Sequence, residues 1–287
     1  MTHPVLGVDH TYLLVHDLDA SAERYRRLGF TLSPRGLHSP QKGTGNYTIV
    51  FQDDYLELLG VVSKTDLNAR QRDALAKYGE GLQAIANRTD SAAAAKPVLA
   101  GLGIRTGDVS AFSRPLPLPD GGEGIASFQT LSFEPDEVPL GHFFLCQHET
   151  PDMVWRPELQ RHDNGAVALA TIIGISETPR ETAETYARFY AAGEVSEAEG
   201  GFSVTTGPKS ASLLFLNKAS AEDNFQNADI ASTPANGFAA LRIRVSEIRQ
   251  TRHILLEHAV PFLETSPGGL AVRPPEASGA VIEFQQH

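Results

Sequence analysis

GVDHTYLLVHDLDASAERYRRLGFTL, residues 7–32, reads as strand, helix, strand. HTYLLV (10–15) has the alternation and branched residue of a strand. Asp17 or Asp19 then supplies a helix cap, and the helical stretch runs to Gly29, a residue suited to a helix C-terminus. FTLSPRG (30–36) is expected to be a second strand, followed by the loop HSPQKGTGN (38–46). NYTIVFQ (46–52) and DYLELLGVV (54–62) are expected to pair as a hairpin around Asp53 and Asp54. The resulting order is βαβββ.

The same order recurs along the chain, which is the signature of a repeat. GLQAIANRTDSAAAAKPVLAGLGI (81–104) gives strand, Asp cap, Ala-rich helix and glycine; AFSRPLPLP, IASFQTLSF and GHFFLCQHE supply three later strands. A third unit opens at Ala166, where Ala183, Glu184 and Tyr186 keep one constant offset from Ala22, Glu23 and Tyr25; EGGFSVTT and SASLLFLN follow. A fourth runs from FAALRIRVSEIRQTRHILLEHAV (238–260) through PFLET and GGLAVRPPE to GAVIEFQQ. DLNARQRDALAKYGEG (66–81) reads as an extra helix between the first two units, and KASAEDNFQNADIASTPANG (218–237) as a polar connection. HETPDMVWRPELQRHDNG, with prolines and Asn-Gly, reads as a linker between halves. These boundaries imply an N-terminal domain at 1–150, a linker at 151–165 and a C-terminal domain at 166–287.

The chain has 287 residues, 41% hydrophobic and 21% charged, an ordinary globular composition with enough length for a large core. A net charge of −11, spread along the chain, argues against a nucleic-acid partner. The single cysteine, Cys146, excludes an internal disulfide and fits a reducing compartment. The start MTHPVLGVDH has no signal-peptide pattern, and no run of about 18 apolar residues spans a membrane. The expectation is a cytoplasmic protein.

Paired βαβββ units resemble the vicinal oxygen chelate superfamily, which includes glyoxalase I, extradiol dioxygenases and the fosfomycin- and bleomycin-resistance proteins. The strings GVDH, GTGN, DDYLELLG, QHETP with Trp155 after it, and HDNGA resemble its glyoxalase-like branch. The resemblance covers nearly the whole chain. It implies an α+β fold in which four modules pair into two cupped, incomplete mixed β-barrels with helices outside.

The resemblance also points to a site. DDYLELLG (53–60) places a carboxylate inside an apolar run. Alternation puts Tyr55, Glu57 and Leu59 on one face and Leu56 and Leu58 on the other. If the leucines pack against helices, Glu57 points into the cup. His10 and Glu57 match the superfamily's ligand positions in the first unit, so a bound metal would compensate the buried charge. A salt bridge to Arg35 or Arg114 is the alternative account of Glu57. Ala84 stands where a second strand-one histidine is expected. His148 in the last strand of the second unit is favoured as the third ligand, because imidazole is the better donor; Gln147 is its rival by a one-residue register shift. Such a set leaves open positions for one divalent ion (Zn, Ni, Mn or Fe) to receive substrate or water. His38, Thr44, Asn46 and Arg114 are candidate substrate contacts, Arg114 because its fork matches a carboxylate. Trp155 and His162 either close the cup or pack the linker. In the second half, Thr171 and Ala240 replace strand-one histidines and Glu283 has no histidine partner, so that half reads as structural. Ile254, Leu255 and Leu256 are expected on the buried face of the last helix.

The implied chemistry is that of a metal-dependent lyase or isomerase acting on a small oxygen-rich molecule. The metal stabilises an enolate or oxyanion, and Glu57 moves a proton beside a carbonyl. An extradiol-type Fe(II) dioxygenase and a metal-free small-molecule binding or resistance protein are the alternatives. The expected partner is a small molecule, with no nucleic acid or membrane, and the chain is expected to be a monomer or homodimer.

Overall fold

The computed structural model describes residues 3–118, 121–266 and 268–286. The first unit comprises β1 (Val8–Val15), α1 (Leu18–Arg27), β2 (Gly36–Leu37), β3 (Thr44–Val50) and β4 (Tyr55–Val61); α2 (Ala69–Tyr78) follows. The second comprises β5 (Gly81–Arg88), α3 (Ala92–Gly101), β6 (Thr106–Pro117), β7 (Glu123–Phe133) and β8 (His142–His148). The third comprises β9 (Ala166–Ile175), α4 (Pro179–Ala187), β10 (Val195–Ala198), β11 (Gly201–Val204) and β12 (Ser212–Leu216), with α5 (Lys218–Asn224) after it. The fourth comprises β13 (Gly237–Val245), α6 (Ile248–Glu257), β14 (Leu263–Thr265), β15 (Gly269–Val272) and β16 (Val281–Gln286).

Local chemistry sets these elements. Asp17, not Asp19, caps α1, accepting from the backbone N–H groups of Asp19 and Ala20. Ser91 caps α3 in the same way through Ala94 N–H. Gly29 takes φ +84° just past α1, and a Cβ there would lie 2.6 Å from Ile254, so both the turn and the contact with α6 require glycine.

The strands form two eight-stranded sheets, ordered β2-β3-β4-β1-β5-β8-β7-β6 and β10-β11-β12-β9-β13-β16-β15-β14. In the first, β1 is antiparallel to β5, and each first strand runs parallel to the last strand of its own unit. The second sheet repeats this arrangement around β9 and β13. Units one and two therefore close one cup, and three and four the other, with helices outside. One face of each sheet joins a common core: Leu13, Leu56, Leu58, Ile85 and Phe143 belong to the same buried cluster as Ile172, Phe215, Leu241 and Phe284. The opposite faces line the cups. No helix among the described residues is long and apolar enough to cross a membrane.

Several local expectations are revised. FTLSPRG is mostly not strand; only Gly36–Leu37 pairs, with Asn46 and Gly45 of β3. Pro34 lacks a ladder donor, and Phe30 is drawn into the core. EGGFSVTT turns at Glu199–Gly200, so β10 lies ahead of it and pairs back on β11. Leu255 is buried in α6, but Leu256 is 64% exposed. The connection 218–237 is not merely polar. It forms α5 and then buries Phe225, Ala228 and Ile230 against Ile173, Leu214, Ala240 and Val281, filling the second cup.

Candidate functional site

The first cup holds a cavity of about 330 Å3. β1 contributes His10 and Tyr12, every second residue of a strand. β3 contributes Thr44, Asn46 and Thr48, and β4 contributes Tyr55, Glu57 and Leu59. The alternation read in DDYLELLG therefore holds: Leu56 and Leu58 enter the common core while Glu57 faces the cavity. On the other side β6 supplies Ser110, Phe112 and Arg114, β7 supplies Phe128, and β8 supplies His142, Phe144 and Cys146. His38 also lines the cavity, so the structure brings together His10, His38, Thr44, Asn46, Glu57 and Arg114.

His10 is the pivot. Its Nδ1 lies 2.7 Å from Asp9 Oδ1 and its Nε2 lies 3.8 Å from Glu57 Oε2 and 3.4 Å from the Tyr55 hydroxyl. The Tyr55 ring stacks on the imidazole at 4.2 Å. Asn46 Nδ2 donates to Glu57 Oε1 at 2.6 Å, fixing that carboxylate. Neither Arg35 nor Arg114 pairs with Glu57; Arg35 binds Asp19 instead.

Asp9 is fully buried. Burial alone pushes its carboxyl up, but the charge of His148 and hydrogen bonds from His10 and His148 outweigh this and hold it well below the usual carboxylate range. With Asp9 ionised, His10 presents Nδ1–H to it and leaves the Nε2 lone pair toward the cup.

His148 lies behind this pair rather than on the cavity wall. Its Nε2 is 3.0 Å from Asp9 Oδ1, and Trp155 packs on its ring at 4.7 Å. Gln147 faces the helices, where Oε1 accepts from Ala92 N–H. Thus Glu57 approaches His10 at Nε2, while His148 reaches it through Asp9 on the Nδ1 side. Asp9, His10, Cys146 and His148 together offer one ligand atom each, all within 4.8 Å of one another. Among the described residues His148 Nδ1 and Asp9 Oδ2 are buried with no hydrogen-bond partner, although Arg88 Nε stands 3.6 Å from Asp9 Oδ2 as an ion pair. Carboxylate and imidazole donors carrying unused lone pairs fit a divalent ion.

Other titratable groups are tuned by the cup. Burial, then Lys42 and Arg114, push His38 down to about 3, so it is neutral, and its Nδ1 sits 2.7 Å from Thr44 Oγ1. Burial lowers His142 to about 3. Burial also lowers the Lys42 ammonium to about 8, partly offset by Glu57. Desolvation lowers Arg114 as well, and Glu57 opposes it.

Sequence reasoning missed Asp9, Lys42, His142 and the aromatic wall of Phe112, Phe128 and Phe144. The signal for Asp9 was its place directly before His10. Trp155 and His162 both pack the linker. His162 Nδ1 accepts from Thr31 N–H at 3.0 Å, and its Nε2 lies 3.0 Å from Val50 O.

Among the described residues the second cup has no comparable arrangement. Glu283 is buried and bound by Arg242 Nε at 2.7 Å and by the Thr265 hydroxyl, and Arg242 also binds Glu199.

Two cupped sheets of paired βαβββ units, with a His and Glu converging in one cup, define a vicinal oxygen chelate fold. Residues 8–190 match the glyoxalase-like domain, and the chain belongs to that family. Among solved structures, it is similar to a hypothetical protein from Staphylococcus aureus, at 15% identity and a TM-score of 0.69 over 98% of this chain and 99% of that one. It is also similar to a mutant 4-hydroxymandelate synthase from Streptomyces coelicolor, at 14% identity and a TM-score of 0.62 over 99% and 93% of the two chains. A fusion of a xylose isomerase-like TIM barrel with 4-hydroxyphenylpyruvate dioxygenase matches at 13% identity and a TM-score of 0.61, covering 100% of this chain and 49% of that one. These likenesses concern the fold. No curated protein matches the chain.

Proposed function

We propose that the first cup is the active site of a glyoxalase-like lyase or isomerase, which moves a proton beside a carbonyl of a small oxygen-rich substrate. The observation that carries this reading is the line Asp9–His10–Glu57. A buried carboxylate sets the histidine tautomer, and the histidine's other nitrogen and a second carboxylate meet 3.8 Å apart in the cavity. A divalent ion (Zn, Ni, Mn or Fe) held by His10 and Glu57 would supply Lewis-acid stabilisation of the substrate's adjacent oxygens, and His148, on the far side of His10, would orient that ligand through Asp9 rather than complete the set.

The protein's own groups do the rest. Glu57 accepts the proton from the hydroxyl-bearing carbon beside the carbonyl; the C–H pair becomes the C=C bond of an enolate as the C=O π pair moves onto oxygen, the hydroxyl proton passes to that oxygen, and Glu57 returns its proton to the former carbonyl carbon as the second carbonyl forms. Asn46 holds Glu57 in place. The aromatic wall of Phe112, Phe128 and Phe144 displaces water and strengthens each polar contact in the cup.

Two measurements test this. Elemental analysis of untagged protein should find near-stoichiometric metal, lost in His10→Ala and Glu57→Ala. Proton NMR in D2O should show enzyme-dependent exchange into 2-oxoaldehyde adducts or 2-hydroxy carbonyl compounds. Exchange that survives in both variants overturns the assignment. Iron with oxygen uptake would transfer the site to dioxygenase chemistry, and a parent that binds no ion leaves a small-molecule binder.

A further inference from the structure

Two cations in the first cup have no hydrogen bond or ion pair among the described residues. Arg114 is 6% exposed, and its guanidinium makes no hydrogen bond or ion pair among the described residues. Lys42 lies 3.3 Å from the Phe112 ring centre, and its ammonium likewise has no hydrogen bond or ion pair there. A desolvated cation without a counter-ion is costly, so native structures rarely keep one without a use. The chain makes room for this one. A Cβ at Gly36 would fall 2.6 Å from Arg114 Nη1, so the glycine leaves space for the guanidinium.

The two cations serve one end of the cavity. Both act on His38, and Phe112, two residues before Arg114 on β6, lies beneath Lys42. Charge then selects the ligand. Lys42 and Arg114 bring two positive charges, and Glu57 is the one carboxylate among the described residues lining the cavity. His38 and His142 are neutral. With no divalent ion in the cup the uncompensated charge is about +1, which suits a carboxylate better than a phosphate dianion. Phe112 and Phe128 stack at 5.0 Å beside it, and Tyr12, Tyr55 and Phe144 continue the wall, a surface for an aromatic ring.

We propose that the ligand of this cup is a small aromatic monocarboxylate, its carboxylate received by Arg114 and Lys42 and its ring held along the Phe112–Phe128 wall. This rests on reading the first cup as the substrate site, and it adds the substrate's chemical class.

The full-length chain, freed of divalent ions by a chelator, is titrated with phenylacetate, its neutral isostere phenylacetamide, and phenyl phosphate. Binding is followed by calorimetry and by the fluorescence of Trp155, the single tryptophan, whose ring lies 5.9 Å from Tyr55. Phenylacetate should bind about ten-fold or more tighter than the amide, as expected for one charge-assisted contact, and also tighter than phenyl phosphate. Arg114→Gln and Lys42→Met should each reduce the acid-over-amide ratio, and together abolish it. Arg114→Lys should retain part of it, since the charge stays and the fork is lost.

Equal binding of acid and amide by the parent, no binding of the acid, or a full preference in the double variant overturns the proposal. Tighter binding of phenyl phosphate overturns the carboxylate class. Because the parent's acid-over-amide ratio is itself decisive, a variant that fails to fold does not blunt the test. If deuterium exchange is absent while the preference stands, the proposed chemistry fails and this assignment survives; the reverse result removes this assignment alone.

Discussion

Asp9 and His10 are neighbours in sequence, and strict alternation would send them to opposite faces of β1. The pairing of β1 with β5 shifts register between Val8 and His10, and this irregularity lets the Asp9 carboxylate reach both His10 and His148. That is why Asp9 escaped a reading based on alternation, whereas His10 and Glu57 were legible from it. Asp9→Asn removes the charge that fixes the His10 tautomer, so proton exchange should fall by about 10–100-fold. The variant's melting curve should still show a cooperative fold. An unchanged exchange rate would assign Asp9 a packing role only. Lys42 was illegible for a different reason: it sits in a loop with no periodicity, and only the folded cup places it over Phe112. Its lowered value of about 8 has a consequence for pH. The ammonium is charged below that value and neutral above it, so phenylacetate affinity should decline as pH rises through about 8. In Lys42→Met that step should vanish, and a step that persists would belong to another group.

At the scale of elements, α2 and α5 occupy corresponding places, each following the last strand of an odd-numbered unit. They leave their cups in different states. The chain after α5 drives Phe225 and Ile230 into the second cup, and Arg242 and Glu199 close its polar end. The first cup keeps its cavity, walled partly by Asn68 and Gln71 from the α2 region. The polar composition of residues 218–237 hid this plug, because its few apolar residues are spaced through a stretch rich in Asn, Asp and Ser. The repeat itself was legible, since caps, glycines and strand patterns recur in one order. Strand two was not, because Pro34 shortens it to two paired residues. Phe225→Ala should lower stability by about 3–5 kcal/mol, the usual cost of emptying a buried aromatic site. It should leave the first cup's affinity for phenylacetate within error. Urea unfolding beside calorimetry checks both. A large loss of affinity would mean that the two cups are coupled.

At the scale of the whole molecule, the two halves share a core, and polar contacts fix how they meet. The Tyr25 hydroxyl donates to Ala277 O, and Tyr190 donates to Asn87 Oδ1 at 2.7 Å. A third contact between the halves carries a carboxyl that titrates. Asp54, at the tip of the β3–β4 hairpin, is buried and accepts from Leu169 N–H of β9 at 3.0 Å. Burial raises its pKa from 3.8 to about 7, against the opposing effects of the Leu169 hydrogen bond and Arg88. The folded chain therefore holds a proton that the unfolded chain releases, and stability must fall as pH rises from about 4 to about 7, then level off. At about 1.4 kcal/mol for each pH unit across that span, the full effect is about 4 kcal/mol. Asp54→Asn keeps a carbonyl to accept from Leu169 N–H and cannot ionise. Its urea midpoint should follow the parent's near pH 4 and exceed it increasingly up to pH 8. Parallel pH profiles for the two proteins would mean that Asp54 is ionised within the interface and that the halves are joined there by charge rather than by a neutral hydrogen bond.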